Sequence, residues 1–215
     1  MKKIFRILPL VAVLFAVSSC KKSFQELTLN NNVPNAVPAS QLLNGVLTGS
    51  VDLAGSSSEI YSQYYIYNYN YYGNNTYDFG SGPDYYVQLK NVLAMEAQAS
   101  ASGGSAINPY ATLGKFLRAY LFSKMSMERG DIPMSEALKG TANLTPKYDT
   151  QKAVMIQCLA WLEQANTDFG TIIANPSAGG TGLGATLSGD IFFSNNLAAW
   201  QKTVNAFHVR LLIQL

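Results

Sequence analysis

Residues 108–130, NPYATLGKFLRAYLFSKMSMERG, decide the fold class of this 215-residue chain. Asn108 is a favoured N-cap residue, and Pro109 suits the first position of a helix because no backbone N–H donor is needed there. Gly130 then supplies a stop signal. Between these ends, apolar residues recur at the spacing of one face of an amphipathic helix: Leu113, Phe116, Leu117, Tyr120, Leu121 and Met125. The stretch therefore predicts a long helix that packs against other helices.

Four other segments show helical spacing of their apolar residues. They are residues 41–53, residues 86–97, a segment that begins after Asp149 as its N-cap, and a segment that opens near Asn195 and Asn196. The third and fourth helices start about forty residues apart, which is near the period of tetratricopeptide hairpins. We therefore predict an all-α fold of tetratricopeptide-like helical hairpins with irregular loops, including a glycine-rich loop over residues 175–189.

The sequence ends within its last apolar segment. No cap, glycine or polar tail follows the residues at that end, which are Leu211, Leu212, Ile213 and Leu215. A helix with this much apolar surface needs a further element to cover it. We therefore expect residues 41–215 to be the N-terminal, incomplete part of a larger single domain.

The first twenty residues carry a targeting signal. Three positive charges precede an eleven-residue apolar run over residues 7–17, and small residues lead directly to Cys20, which is the pattern of a signal peptide. The run covers about half of a bilayer core of about 30 Å, which disfavours a transmembrane helix. The flanks of Cys20 resemble a bacterial lipobox, which predicts a signal peptide over residues 1–19 and a fatty-acylated Cys20. The alternative is an ordinary secreted protein in which Cys20 is incidental.

The predicted mature chain has little net charge. Loss of Lys2, Lys3 and Arg6 with the signal peptide takes the formal net charge from +2 to −1. Nucleic-acid binding through a basic surface therefore has no support. Residues 20–40 are polar and interrupted by proline, which indicates a tether that leads to the first helix.

A tyrosine-rich block follows the first predicted helix. Ten of the thirteen tyrosines lie between Tyr61 and Tyr86, with asparagines among them. Tyrosine rings can stack on sugars and asparagines can bond sugar hydroxyls, although a tyrosine can equally pack into a core. Because irregular surface segments carry recognition, we predict ligand-binding residues around Gly73: Tyr71, Tyr72, Asn74, Asn75, Tyr77 and Asp78.

No sequence motif points to catalysis or to a metal or cofactor. HExxH, paired CxxC and Gly-Xaa-Ser-Xaa-Gly motifs are all missing from the sequence. Glu128 and Asp131 could form a glycosidase pair, but both fit the solvated end of a helix better. His208 is expected at a helix interface. Residues 180–184, GTGLG, resemble a phosphate-binding loop, but no strand precedes them and no lysine follows, so they are interpreted as a flexible loop. Three further residues are expected in the core: Cys158, Trp161 and Trp200.

A nine-residue stretch over residues 130–138, GDIPMSEAL, is the most specific motif of the chain. It is close to the GDIPYSEAL pattern of the SusD/RagB family of outer-membrane lipoproteins, with Met134 in place of tyrosine. Further segments resemble that family: Cys20 with residues 24–27, residues 30–35 with Pro38 and residues 41–43, residues 62–65, residues 146–151, Gly189-Asp190 with Trp200, and Asn205 with Arg210. The resemblance covers nearly the whole chain and is greatest to the SusD-like branch, described as starch-binding and associating with the outer membrane.

The resemblance implies a helical protein that is attached to the external face of the outer membrane by lipid on Cys20. Such proteins are similar to a capture arm over a TonB-dependent transporter of the SusC type. They deliver glycan, or another oligomeric nutrient, to that transporter without cleaving it. Two alternatives stay open: a surface lipoprotein that binds protein or is adhesive, and a glycan-degrading enzyme whose carboxylates lie outside this sequence.

Overall fold

The structure is a computed structural model that describes residues 36–51 and 84–215. The α-helices in these ranges are α1 (Ala39–Gly49), α2 (Tyr86–Ala101), α3 (Pro109–Arg129), α4 (Gln151–Ala174) and α5 (Leu197–Gln214). Short 3-10 helices lie at Gly140–Ala142, Pro176–Gly179 and Leu183–Ala185. Over these two ranges the chain forms no β-strand and only two isolated β-bridges. The predicted all-α fold is confirmed.

Helices α3 and α4 form an antiparallel hairpin. Near the start of α3, the Lys115 ammonium forms an ion pair with the Asp168 carboxylate, which lies near the end of α4. At the opposite end of the hairpin, the Gln151 side chain donates a 2.7 Å hydrogen bond to the Ser126 carbonyl. Because residue numbers rise along α3 as they fall along α4, the two helices run in opposite directions.

Helix α2 packs antiparallel to α3 on its other side. The Tyr86 and Phe122 rings lie 6.2 Å apart in an edge-to-face arrangement. Ten residues further along α2, the Glu96 carboxylate accepts a 2.9 Å hydrogen bond from Arg118. The contact that lies later along α2 therefore involves an earlier residue of α3, and the two helices run in opposite directions.

Helix α5 runs parallel to α3. Its ring contacts follow the same order on both helices, with Phe116 at 5.6 Å from Trp200 and Tyr120 at 5.5 Å from Phe207. Since α4 is antiparallel to α3, α5 is also antiparallel to α4. This up-and-down order, with alternate helices parallel, is the arrangement of the helical hairpins predicted from the sequence.

The core lies where α3 meets its neighbouring helices. Its fully buried side chains include Leu43, Leu89, Leu113, Leu121, Leu162 and Phe169. Cys158 is buried there as predicted, and burial raises the pKa of its thiol to about 12. Trp200 is 2% exposed, which confirms its predicted burial. Trp161 is half-buried and packs on the edge of the core.

Two of the predicted helix starts are confirmed by their side-chain caps. The Asn108 side chain accepts a 2.9 Å hydrogen bond from the Ala111 amide at the start of α3. The Asn196 side chain accepts a 3.1 Å hydrogen bond from the Ala199 amide at the start of α5. Each cap satisfies an N–H group that has no partner within its helix.

The predicted N-cap of α4 is wrong by one residue. The Thr150 hydroxyl, not Asp149, accepts from the Ala153 amide at 3.3 Å. Asp149 is occupied elsewhere, because its carboxylate accepts hydrogen bonds of 3.0 Å from the Met134 amide and 2.7 Å from the Ser135 amide. Burial opposes the charge, but these bonds and the Ser135 hydroxyl outweigh it and lower the pKa of the Asp149 carboxyl.

The GDIPMSEAL motif forms a clamp that joins α2, α3 and α4. The chain leaves α3 at Gly130, whose φ of 79° favours glycine. Ile132 and Asp149 then exchange two backbone hydrogen bonds of 3.1 and 3.0 Å. The Tyr86 hydroxyl of α2 donates a 2.6 Å hydrogen bond to the Pro133 carbonyl. The most specific motif of the sequence therefore fixes the connection between helices.

The glycine-rich loop docks on the end of α2, which corrects its interpretation as a flexible loop. The Thr181 amide donates a 2.8 Å hydrogen bond to the Gly103 carbonyl, and the Gly184 amide donates a 3.0 Å hydrogen bond to the Ser102 carbonyl. A Cβ atom at Gly184 would overlap the Ala99 carbonyl oxygen. The glycines are thus needed for close approach of two backbones, a role that composition does not distinguish from flexibility.

Candidate functional site

The functional residues predicted from the sequence lie outside the described residues. They are Cys20 as the lipidation site and Tyr71, Tyr72, Asn74, Asn75, Tyr77 and Asp78 as ligand-binding residues. These assignments stay predictions. The part of the chain that the structure describes nevertheless contains a cleft with the same kind of chemistry.

This cleft, which we call the aromatic cleft, opens between the end of α1, the middle of α3 and the start of α5. Its volume is ≈ 280 Å³. The lining residues are Leu47, Ser50, Val51, Phe116, Leu117, Tyr120, Phe192, Phe193, Trp200 and Thr203. Pockets for whole drug-sized ligands measure about 300–1,000 Å³. The aromatic cleft is therefore large enough for about one ring of a larger molecule.

Trp200 is the centre of the ring cluster in the aromatic cleft. Phe193 meets it edge to face at 5.0 Å between ring centroids, and Phe116 and Phe192 lie at 5.6 and 6.3 Å. Edge-to-face and tilted pairs at these distances are the favoured aromatic geometries. Trp200 forms the buried floor, whereas Phe192 is 48% exposed at the rim. Phe192 is thus the ring most open to a ligand.

Polar groups in the aromatic cleft are neutral. The Ser50 hydroxyl donates a 2.6 Å hydrogen bond to the Val46 carbonyl, and the Thr203 hydroxyl donates a 3.0 Å hydrogen bond to the Ala199 carbonyl. Each hydroxyl oxygen has further capacity to accept a hydrogen bond. The described residues that line the cleft include no Asp, Glu, Lys, Arg or His, so burial of a charged ligand group there would be costly. The chemistry suits a neutral ring with C–H faces and hydroxyl donors.

Asp190 holds the loop that forms one wall of the aromatic cleft. One carboxylate oxygen accepts from the Phe192 amide at 2.9 Å. The other accepts from the Asn195 amide at 3.0 Å and from the Trp200 indole N–H at 2.9 Å. The Phe193 amide lies 3.3 Å from both oxygens. A single buried carboxylate therefore connects the loop to the floor of the cleft.

Sequence reasoning missed Asp190, Phe192 and Phe193 as members of a site. The sequence identifies Gly189-Asp190 only as a point of family resemblance, and Trp200 as such a point and as a core residue. One local signal does exist, since an aspartate often accepts from the backbone amides just after it and so forms a turn. That signal predicts the turn, but it does not show that Trp200 closes over it.

Glu128 and Asp131, the pair considered for a glycosidase, lie at the end of α3 and in the turn that follows it. The Asp131 carboxylate accepts a 2.9 Å hydrogen bond from the Gln151 amide at the start of α4. Glu128 is exposed at the end of α3. His208 is half-buried on α5. Leu212, one turn later on the same helix, is 53% exposed.

Residues 36–51 and 84–215 hold neither a metal-ligand cluster nor a helix of membrane-spanning character. Within these ranges, no group of three His, Cys, Asp or Glu side chains is placed to hold a metal ion. None of the helices described there combines the length and the apolar character needed to cross a membrane.

Three solved structures are similar to this chain. An outer membrane protein of Bacteroides vulgatus, whose description relates it to nutrient binding, shares 28% identity with a TM-score of 0.59. Two SusD homologues from Bacteroides fragilis share 27% and 30% identity, with TM-scores of 0.55 and 0.58. The matches cover 82%, 83% and 82% of this chain, and 36% of each solved chain. This chain thus spans about a third of the length of those proteins.

No curated protein matches the chain. A family model does match it over residues 30–215, and the description of that family is "Starch-binding associating with outer membrane". The match covers α1 to α5 together with the aromatic cleft and the GDIPMSEAL clamp. The chain therefore belongs to the SusD-like family.

Proposed function

We propose that this chain is part of a surface lipoprotein of the outer membrane that binds glycan, or another oligomeric nutrient. In this proposal it delivers the nutrient to a SusC-like TonB-dependent transporter and does not cleave it. The family match over residues 30–215 carries the proposal. The solved relative whose description relates it to nutrient binding supports the same function.

The proposed anchor is a fatty-acylated Cys20 that follows a signal peptide over residues 1–19. A polar tether, predicted over residues 20–40, would then lead to the helical domain predicted over residues 41–215, whose first helix begins at Ala39. Lipid anchoring is supported by the charge and apolar pattern before Cys20. It also agrees with a family described as associating with the outer membrane. Several acyl chains on one residue are enough for stable attachment, since each buried methylene contributes about 0.8 kcal/mol.

The proposed ligand contacts combine two sets of residues. The aromatic cleft supplies the exposed ring of Phe192 above the Trp200 floor. The tyrosine-rich block supplies the six residues predicted from the sequence, for which Tyr72 serves as the representative below. Rings that stack on C–H faces, beside neutral hydroxyls and amides, are suited to sugars. A cleft that holds about one ring fits an oligomer bound one unit at a time.

Palmitate labelling in the native host tests the anchor. The Cys20→Ala variant should lose the label and leave the outer-membrane fraction, because the thiol proposed to carry the lipid is removed. The matched control is Cys158→Ala, which removes the buried cysteine and should remain labelled and membrane-bound. Labelling of Cys20→Ala equal to that of the wild-type chain would contradict lipid anchoring.

Calorimetry of the full chain with a panel of oligosaccharides and peptides tests the ligand. We expect saturable binding to at least one member and no new reducing ends or free amines after long incubation. Tyr72→Ala should weaken that binding, whereas Tyr148→Ala, which removes a tyrosine that is 71% exposed outside the cleft, should not. Cleavage of the bound oligomer would contradict the non-catalytic role. Binding of a protein partner alone would instead favour an adhesive surface protein.

Isolation of the chain from native membranes tests its partner. We expect a TonB-dependent transporter to co-purify in stoichiometric amount with the wild-type chain. Cys20→Ala should recover less of it, because the anchor keeps both proteins at one surface. Recovery of no transporter from membranes that contain the anchored chain would contradict delivery to such a partner.

A further inference from the structure

Asp190 has a hydrogen-bonding environment that packing alone does not require. Asp190 is buried, with 8% of its surface exposed. Four separate N–H groups point at its two oxygens, three from the backbone and one from the Trp200 indole. Hydrogen bonds from N–H groups to a carboxylate are stronger than those between neutral groups. The carboxylate therefore determines the position of every group that donates to it.

The groups that Asp190 holds belong to the aromatic cleft. Phe192 and Phe193 form its wall, and their amides donate to the carboxylate at 2.9 and 3.3 Å. Trp200 forms its floor, and its indole N–H donates at 2.9 Å. Wall and floor come from different elements, a loop and α5, so one acceptor fixes the distance between them.

The backbone of this loop also depends on the same acceptor. Ser194 and Asn195 both have positive φ values, of 52° and 68°, which are uncommon for residues other than glycine. The Asn195 amide donates to Asp190, and the Asn195 side chain accepts a 3.1 Å hydrogen bond from the Asp190 amide. These reciprocal bonds compensate the strained turn, which lets Phe192 and Phe193 lie side by side next to Trp200.

We propose that Asp190 is a positioning residue of the nutrient site, whose carboxylate sets the wall of the aromatic cleft against its Trp200 floor in the geometry that receives a ligand ring. This inference rests on the proposed function, because it assumes that the cleft contacts the nutrient. It adds a residue that does not itself touch the ligand. The ligand class it serves is a neutral, hydroxylated ring of an oligosaccharide.

The test compares Asp190→Ala and Asp190→Asn with Asn196→Ala in the full chain, using maltoheptaose as the probe. Asn196→Ala is the matched control, because it removes a side-chain cap at the start of the same helix and keeps the backbone hydrogen bonds of residue 196 to Phe193 and Trp200. We expect Asp190→Ala to weaken maltoheptaose binding by about tenfold or more, and Asn196→Ala to change it less than about twofold. These changes correspond to about 1.4 and 0.4 kcal/mol.

Asp190→Asn should give an intermediate loss. The asparagine amide keeps one oxygen, which can still accept from Trp200. Its NH₂ group takes the place of the second carboxylate oxygen and cannot accept from the N–H groups there. This variant also decides the question if Asp190→Ala does not fold. Maltoheptaose binding by Asp190→Asn that equals the Asn196→Ala control would overturn the positioning role.

A second readout separates this inference from the proposed function. The 215-residue sequence has two tryptophans, so in a Trp161→Phe background the near-UV circular dichroism of tryptophan reports the order of the Trp200 ring. We expect Asp190→Asn to reduce that signal and Asn196→Ala to preserve it. If the wild-type chain binds no oligosaccharide, the proposed ligand fails, and the dichroism alone decides whether Asp190 positions Trp200. An unchanged Trp200 signal in Asp190→Asn would overturn the inference in either case.

Discussion

Replacement of Gly184 by alanine tests whether the glycine-rich loop is docked on α2. The Gly184 Cβ would overlap the Ala99 carbonyl oxygen and lie 2.8 Å from the Gly104 amide nitrogen. These two atoms are joined by a 2.9 Å hydrogen bond. The new methyl group would therefore enter a space that a backbone hydrogen bond already occupies, and backbone atoms cannot rotate away as a side chain can.

The expected cost follows from two contributions. Overpacking of a well-packed site costs about 1–3 kcal/mol, and loss of a hydrogen bond costs about 0.5–1.5 kcal/mol. Together they lower the free energy of unfolding by about 1.5–4.5 kcal/mol. For a protein of this size, each 1 kcal/mol changes Tm by about 2–4 °C, so Gly184→Ala should lower Tm by about 3–18 °C.

Thermal unfolding of the full chain, followed by far-UV circular dichroism, measures this change. The matched control is Gly45→Ala, because Gly45 lies inside α1 with no atom within 4 Å of its Cβ position. Alanine in an open helical site stabilises by about 0.5–1 kcal/mol. The control should therefore raise Tm slightly. A Gly184→Ala protein as stable as the wild-type chain would refute the docking of the loop.

Three further predictions concern groups outside the loop. Asp149→Asn should lower the free energy of unfolding by about 1 kcal/mol at pH 7, because a half-exposed carboxylate loses its bonds to Met134 and Ser135. Folding lowers the pKa of Asp149, so its contribution to stability is complete above the unfolded pKa of about 3.9 and is lost as pH falls through the folded pKa. In urea titrations the difference in free energy of unfolding between Asp149→Asn and wild type should shrink towards pH 3. A difference that stays constant with pH would contradict the ionic origin. In a Cys20→Ala chain, Cys158 should react with a thiol reagent only on unfolding, because burial raises its pKa to about 12; rapid reaction in native buffer would show that the thiol is accessible. Phe169→Ala should cost about 3–5 kcal/mol in chemical unfolding, because a fully buried ring is removed from between helices, and a loss below about 1 kcal/mol would contradict the packing.

Features that depend on local chemistry are predictable from the sequence. The caps at Asn108 and Asn196 lie where side-chain type and apolar spacing place them. The helical order follows from the same periodicity, because each apolar face needs a neighbouring helix. The match to the SusD-like family confirms the resemblance read from the GDIPMSEAL motif.

Features that depend on distant contacts are not predictable in this way. Asp149 is an equally good N-cap in the sequence, but its carboxylate accepts from Met134 and Ser135, which lie about fifteen residues earlier. The glycine-rich loop reads as flexible, because its composition does not reveal that α2 ends against it. The aromatic cleft needs α1, α3 and α5 together, and the closure of Trp200 over Asp190 appears only when the helices are packed.

The most direct test of the central claim is the affinity of the full chain for maltoheptaose in wild-type, Phe192→Ala and Leu183→Ala forms. Phe192 is the exposed ring of the aromatic cleft, and Leu183 is an 84% exposed apolar residue outside it. Loss of one aromatic contact costs about 0.5–1.5 kcal/mol, so Phe192→Ala should weaken binding by about two- to twelvefold. Leu183→Ala should bind as the wild-type chain does. Saturable wild-type binding that Phe192→Ala leaves unchanged would contradict the claim that this cleft receives the nutrient.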